Sequence, residues 1–310
     1  MATVITVPRS LEEALRKRRT NVGQGAFRLG LLSSLLIALA VLAVLVVDIV
    51  RDAMPVLQDR FGDFLRSGLS RSAASAGVGQ AIQGSLLLAG IIAVVAFPLG
   101  VASAIYLEEY ARSGRFSQIV NVTVRNLAGV PSIVYGILGL AIFVQAMKDV
   151  LGPGIQGRSV LAGGLTLAVL VLPIVIITAQ EALRAVPIGI REAAYGVGAT
   201  RWEMIRSHVL PNAAPGILTG TILALARGIG ETAPLILVGA TTGFLATGGQ
   251  TFFEQLRGGY TALPMVVFGW SRERPDFRPL AAAAILVLLV VIFAVNALAI
   301  FLRNRYERKW

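Results

Sequence analysis

The sequence predicts an all-α, polytopic membrane protein with six transmembrane helices. Three observations carry that expectation. Of the 310 residues, 55% are hydrophobic and only 15% are charged, with a mean hydropathy of +0.75. Soluble domains average about 25% charged residues. The apolar surplus is not scattered but gathered in runs near the ~20 residues needed to cross a bilayer. Lys and Arg are richest in the segments that an even number of spans places on one side, as the positive-inside rule requires.

The expected spans are residues 29–47, 84–107, 119–145, 160–179, 216–238 and 279–302. Residues 1–27 form a basic N-terminal segment around Arg16-Lys17-Arg18-Arg19. Arg18-Arg19 matches a twin-arginine pair. The run that follows is too long for a signal core and has no small-residue cleavage site, so it reads as an uncleaved membrane helix. Residues 28–302 make the transmembrane domain, with a loop at 180–215, and residues 303–310 are a tail. Six spans put both termini on the same side, and the Lys/Arg tally makes that side cytoplasmic.

Pro98, Pro131, Pro173 and Pro234 are expected to interrupt apolar helices. Neighbouring groups can satisfy carbonyls freed in this way. Four such prolines suit a moving or pore-lining bundle better than a rigid anchor. The long segment 239–278 carries Phe252, Phe253, Tyr260 and Trp270. It is expected to form short interfacial helices on the outer face. These serve either as a dock for a substrate-delivering protein or as an aromatic belt at the membrane surface.

Composition excludes several chemistries. The chain has no Cys, hence no disulfide, thiolate metal site or Cys nucleophile, and a single His, His208, makes no multi-His metal site. The formal net charge of +11 reads as basic ends facing anionic lipid. No nucleic-acid motif accompanies it. No Walker A sequence occurs, so no ATP is expected to be hydrolysed here. Gly152, Gly154 and Gly157 match Gly-x-Gly-x-x-Gly without a preceding strand, and the dinucleotide reading is rejected. Asn121-Val-Thr123 matches a glycosylation acceptor but falls at the inner end of a span. Neither His-Glu-x-x-His nor Gly-x-Ser-x-Gly is present, so a membrane enzyme has no support.

The stretch 192–211, EAAYGVGATRWEMIRSHVLP, is expected to fold as two short helices outside the bilayer. Pro187 suits the first turn of a helix. Gly198 suits the left-handed position past its end. Thr200 and Glu203 have capping-box spacing, and Pro211 is expected to stop the second helix. Glu192, Ala193, Ala194, Gly198, Leu210 and Pro211 resemble, at the right spacing, the cytoplasmic-loop signature of permease subunits of bacterial ATP-binding-cassette importers. His208 stands where that signature has Ile. The resemblance implies a type I importer permease fold with cytoplasmic coupling helices that dock an ATPase.

The fifth run contains Arg227 and Glu231, four apart and so on one helix face. A charge at mid-bilayer costs about 2.5–3.5 kcal/mol, so intramembrane ions mark functional sites by default. The alternative is a structural ion pair. Arg125, nearer the start of the third span, is either a pathway residue or snorkels to the inner surface. Glu181 and Arg184 belong to the inner interface.

Residues 227–235, RGIGETAPL, resemble the fifth-span motif of phosphate-importer permeases, and residues 125–136, RNLAGVPSIVYG, resemble their third-span motif. The tail after Gly-Glu is similar to that of the PstA type. The resemblance implies that Arg227, Glu231 and Arg125 line the substrate pathway. It implies a PstC-like sister permease, two ATPase subunits carrying ATP-Mg, an external phosphate-binding protein, and a bacterial cell membrane location. No cofactor is expected on this chain. The alternatives are the PstC-type role, a permease for another oxyanion, and a scaffold or sensor subunit that transports nothing. A secondary transporter would show an inverted repeat, and none is evident.

Overall fold

The computed structural model describes residues 22–111, 114–146, 148, 157–241 and 252–306. The basic Arg16–Arg19 cluster, most of the Gly152–Gly157 match and the tail 307–310 lie outside them. The chain divides into two units, residues 1–51 and 52–310. The described residues of the first unit belong to helix α1, Val22–Asp59, which continues into the second. It is longer at both ends than the expected span. Leu29, Leu36, Val44 and Val47 are all exposed, as lipid-facing side chains would be.

The second unit begins with α2 (Phe61–Arg66) and α3 (Gly79–Ile105), which ends in a π-turn, Tyr106–Tyr110. Then come α4 (Arg115–Ala128) and α5 (Ser132–Gly139), the latter running into a second π-turn, Leu140–Val144. Next are α6 (Val160–Arg184) and α7 (Ile188–Gly196). After α8 (Arg201–Met204) a third π-turn, Ile205–Val209, leads into α9 (Leu210–Gly230). α10 (Ala233–Val238), α11 (Phe252–Arg257), α12 (Leu263–Trp270) and α13 (Arg278–Tyr306) complete the chain. No strand occurs among the described residues.

Five helical runs are long and apolar enough to cross a membrane, and a sixth exists if one bent pair counts as a span. That pair, α4 and α5, makes up the expected span over 119–145, interrupted at Pro131 as expected: the two meet at 101°. The break falls at Gly129-Val130-Pro131. Proline has no N–H to continue α4, and its ring pushes Val130 out of the helical region. The Tyr135 hydroxyl donates to the freed Leu127 carbonyl at 2.8 Å. Pro234 likewise follows a break, at Glu231-Thr232, so the fifth span is not one helix either. Pro98 and Pro173, against expectation, sit inside unbroken helices.

α6 is the hub. It packs against α3 and α9, and Leu167, Leu170, Val171 and Val175 are buried there. Small residues let these backbones approach, as is common between membrane helices. A Cβ on Gly220 would meet Thr178, and one on Gly100 would meet Val175.

The segment 239–278 forms short helices as expected, but not a surface belt at Tyr260 and Trp270. Tyr260 and Trp270 are 2% and 4% exposed, so they are core rather than a surface belt. Trp270 lies between Phe64 and Phe277 with ring centroids 6.3 and 5.8 Å away. Burial pushes the Tyr260 hydroxyl well above its usual titration range. The Ser85 hydroxyl accepts the Leu263 N–H at 2.9 Å, tying α12 to α3. Arg60 donates to the carbonyls of Ala73, Ala74 and Ala76, closing the loop before α3. Residues 242–251, the Gly-rich part of this segment, lie outside the described residues.

Candidate coupling segment and substrate path

The helix–turn–helix over 188–209 forms by local rules. Pro187 is the N-cap of α7, one residue ahead of the first turn. At the other end Gly198 adopts φ +84°, a conformation that suits glycine. Its N–H reaches the Tyr195 carbonyl and the Ala199 N–H reaches that of Ala194, both at 3.0 Å. This is a Schellman termination. The Thr200–Glu203 capping box is complete. The Glu203 carboxylate accepts the Thr200 N–H at 2.8 Å and its hydroxyl at 2.7 Å.

Pro211 does not stop the second helix. The chain stays helical from Arg201 to Gly230, through the π-turn, and Pro211 falls in the first turn of α9. The wider turn carries the Leu210 N–H back to the Ile205 carbonyl. A proline just after such a register shift no longer breaks the helix.

Beneath the knob Ala194, Met204, Ile205 and Val209 pack with Ala104, Ala179 and Leu183. Ala194 therefore serves the chain's own core. Glu192, Ala193, Gly198, His208 and Pro211 are exposed, and Leu210 is half-buried. The outer face also shows apolar side chains that spacing rules did not single out. Ile188 is 71% exposed and Val197 85%, and Tyr195 and Trp202 are exposed beside them.

Other contacts were also invisible in sequence. Glu108 and Glu109, in the π-turn ending α3, bind Arg184 and Arg191 at 2.5 and 2.9 Å. Arg184 thus pairs across the fold rather than with its neighbour Glu181. The Arg201 guanidinium lies over the Tyr110 ring, 5.0 Å from its centroid. Two adjacent carboxylates at the end of an apolar run were the available signal.

In the membrane region Arg227 occupies the last turn of α9 and Glu231 is its C-cap, with extended backbone. They are not on one helix face, yet Arg227 Nε lies 3.5 Å from Glu231 Oε1. That is longer than the 2.7–2.9 Å of a charge-assisted hydrogen bond. Arg227 makes no hydrogen bond among the described residues, and its side chain is 52% exposed against 20% for Glu231.

The motifs holding Arg227 and Arg125 meet through their short helices. α10 packs on α5, with Gly136 against Pro234. Arg125 itself makes no hydrogen bond or ion pair with Arg227 or Glu231. It is exposed in the last turn of α4 and lines an open cleft of about 580 Å³ with Arg115, Gln118, Asn121 and Arg184. Gln180, buried on α6, donates to Asn121 at 2.8 Å and fixes α4 there. No group of three His, Asp or Glu side chains gathers for a metal among the described residues.

Comparison with known proteins accounts for this architecture. Residues 96–308 match the family described as binding-protein-dependent transport system inner membrane component. The phosphate transport system permease protein PstA 1 of Mycobacterium tuberculosis (strain CDC 1551 / Oshkosh) is 37% identical over 230 residues. The match covers 73% of this chain and 70% of that protein. PstA of Yersinia pestis is 34% identical over 236 residues, 75% of each. Among solved structures, a bacterial ABC transporter that imports the acidic polysaccharide alginate superposes with a TM-score of 0.63. It is 18% identical, covering 93% of this chain and 99% of that one. An inward-facing MetNI methionine ABC transporter reaches 0.52 at 17% identity, over 75% and 95%. The structures share the fold, the sequences share the lineage, and the chain belongs to the binding-protein-dependent transport system inner membrane component family, alongside its PstA permeases.

Proposed function

We propose that this chain is the permease subunit of an ATP-driven importer of inorganic phosphate and forms half of the translocation pathway. One observation carries the reading: Arg227, set in an apolar run at a helix break, presents a half-exposed guanidinium beside Glu231 that makes no hydrogen bond among the described residues. Guanidinium is permanently charged and binds phosphate oxygens in a fork. Glu231 keeps the site from holding the anion too tightly, since conduction needs release as well as entry. Broken helices are where many transporters place their substrates. The PstA relatives are named for phosphate transport.

In this reading Arg125 stands further along the path, on the inner side. The knob at 188–209 docks an ATPase subunit that binds ATP-Mg, and this chain binds no cofactor of its own. A PstC-like sister supplies the other half of the pathway, and an external phosphate-binding protein delivers substrate. Both termini are cytoplasmic.

The test is phosphate uptake by proteoliposomes holding the assembled complex and loaded binding protein, with sulfate and arsenate as competitors. ATP-dependent phosphate uptake that disappears when this chain is omitted is expected. Uptake of another oxyanion in preference to phosphate, or none at all, overturns the proposal.

A further inference from the structure

The coupling segment is covalently tied to α6 and α9, yet it also makes an ion pair and a cation–π contact to the inner end of α3. Arg191, on α7, is the centre. Its guanidinium donates to Glu109 Oε1 at 2.9 Å, to the Leu183 carbonyl at 2.9 Å and to the Val186 carbonyl at 2.7 Å. Leu183 lies in the last turn of α6 and Val186 just beyond its C-cap, where helix carbonyls lose their i+4 partners. One side chain therefore joins α7, the end of α6 and the π-turn of α3. The pair is shielded, with the Arg191 and Glu109 side chains 20% and 7% exposed.

Two more contacts flank it. Arg184 grips Glu108 with both Nε and Nη2, at 2.8 and 2.5 Å. Arg201, on α8, covers Tyr110. Glu108, Glu109 and Tyr110 of the Tyr106–Tyr110 turn thus each hold a different arginine, one at the end of α6, one on α7 and one on α8. Below them Ala104 of α3 is buried against Leu183, Met204 and Ile205. Of the three arginine contacts, the Glu109–Arg191 pair is the shielded one, and losing one partner there leaves the other charge unpaired.

We infer that Glu109 and Arg191 are positioning residues that fasten the coupling helix to the second span, so that movement imposed on α7 and α8 is passed to α3. The inference rests on the reading of 188–209 as the ATPase dock.

The experiment uses the full complex in nanodiscs. This chain has no native cysteine, so spin labels are placed at Ala102→Cys on α3 and Gly189→Cys on α7. Their separation is measured without nucleotide and after trapping with ATP and vanadate. With Glu109 and Arg191 intact, one narrow distance is expected, changing by no more than about 2 Å, the scale of a packed-helix shift. In Glu109→Gln the trapped state broadens or lengthens. ATPase subunits still co-purify, and phosphate moved per ATP falls about fivefold or more, the lower end of site-to-site coupling. Arg191→Lys, which keeps charge but loses the fork, is the second variant and falls between. Unchanged distances and unchanged phosphate per ATP in either variant overturn the inference. So does a distance that changes by several ångströms in the unmodified latch. The docking reading fails separately, if a label at Val197→Cys reacts equally with and without bound ATPase.

Discussion

A Cβ placed on Gly136 would lie 2.7 Å from the Pro234 Cα and 3.1 Å from its carbonyl oxygen. The two helices that restart after proline-marked breaks, α5 and α10, therefore meet backbone to backbone. Neither neighbour can give way by rotating a side chain. This contact sets the spacing between the segment carrying Arg125 and the segment carrying Arg227.

Gly136→Ala is expected to destabilise the purified complex by about 1–3 kcal/mol, the usual cost of overpacking. Gly90→Ala is the control, because nothing lies within 4 Å of its added Cβ. Thermal unfolding in detergent measures both. Equal midpoints for Gly136→Ala and wild type show that the close contact does not constrain the helices.

Arg227→Lys keeps the charge near Glu231 but loses the fork. Phosphate uptake per assembled complex is expected to fall tenfold or more, since hydrogen bonds to charged groups contribute about 1.5–3 kcal/mol. Arg227→Gln with Glu231→Gln removes both charges, should assemble normally and should move almost no phosphate. Near-wild-type uptake by the double variant would leave Arg227 a structural residue.

Gly198 is left-handed with open space around it. Gly198→Ala is expected to cost about 1–2 kcal/mol from backbone conformation alone and to weaken coupling mildly. Gly198→Arg adds bulk on the exposed turn and should abolish stimulation of the ATPase by loaded binding protein, while the spans insert normally. Unchanged stimulation in Gly198→Arg vesicles removes the turn from the docking surface.

Single cysteines at Gln58, Arg158 and Arg257 are expected to react with an impermeant maleimide added outside, and one at Glu192 only after permeabilisation. All four side chains are exposed in the fold. A reversed pattern at any one of them breaks the six-span topology.

Local rules were enough for the coupling knob. Gly198, Thr200 and Glu203 determine their turn and cap through contacts within a few residues, and the structure has both. Pro211 misled because the turn before it leaves the α register and the helix runs on through the proline. The π-turn at Ile205–Val209, which shifts that register, is set by packing of Ile205 and Val209 into the core. Pro98 and Pro173, by contrast, stay inside continuous α-helices with no such turn before them, while Pro131 and Pro234 stand at breaks.

The sequence by itself determined the membrane class, the order of the apolar runs and the family motifs, and it singled out Arg227, Glu231 and Arg125 as candidates. Hydrophobicity, spacing and charge are local properties that survive without a fold. Only the tertiary structure decided that Glu231 leaves the helix yet stays beside Arg227. It also decided that Gly136 and Pro234 join the two motifs, and that Ala194 and Trp270 turn inward. Glu109 and Arg191 are 82 residues apart in the chain. Their 2.9 Å contact depends on α3 and α6 packing side by side, a long-range arrangement that no window of neighbouring residues contains.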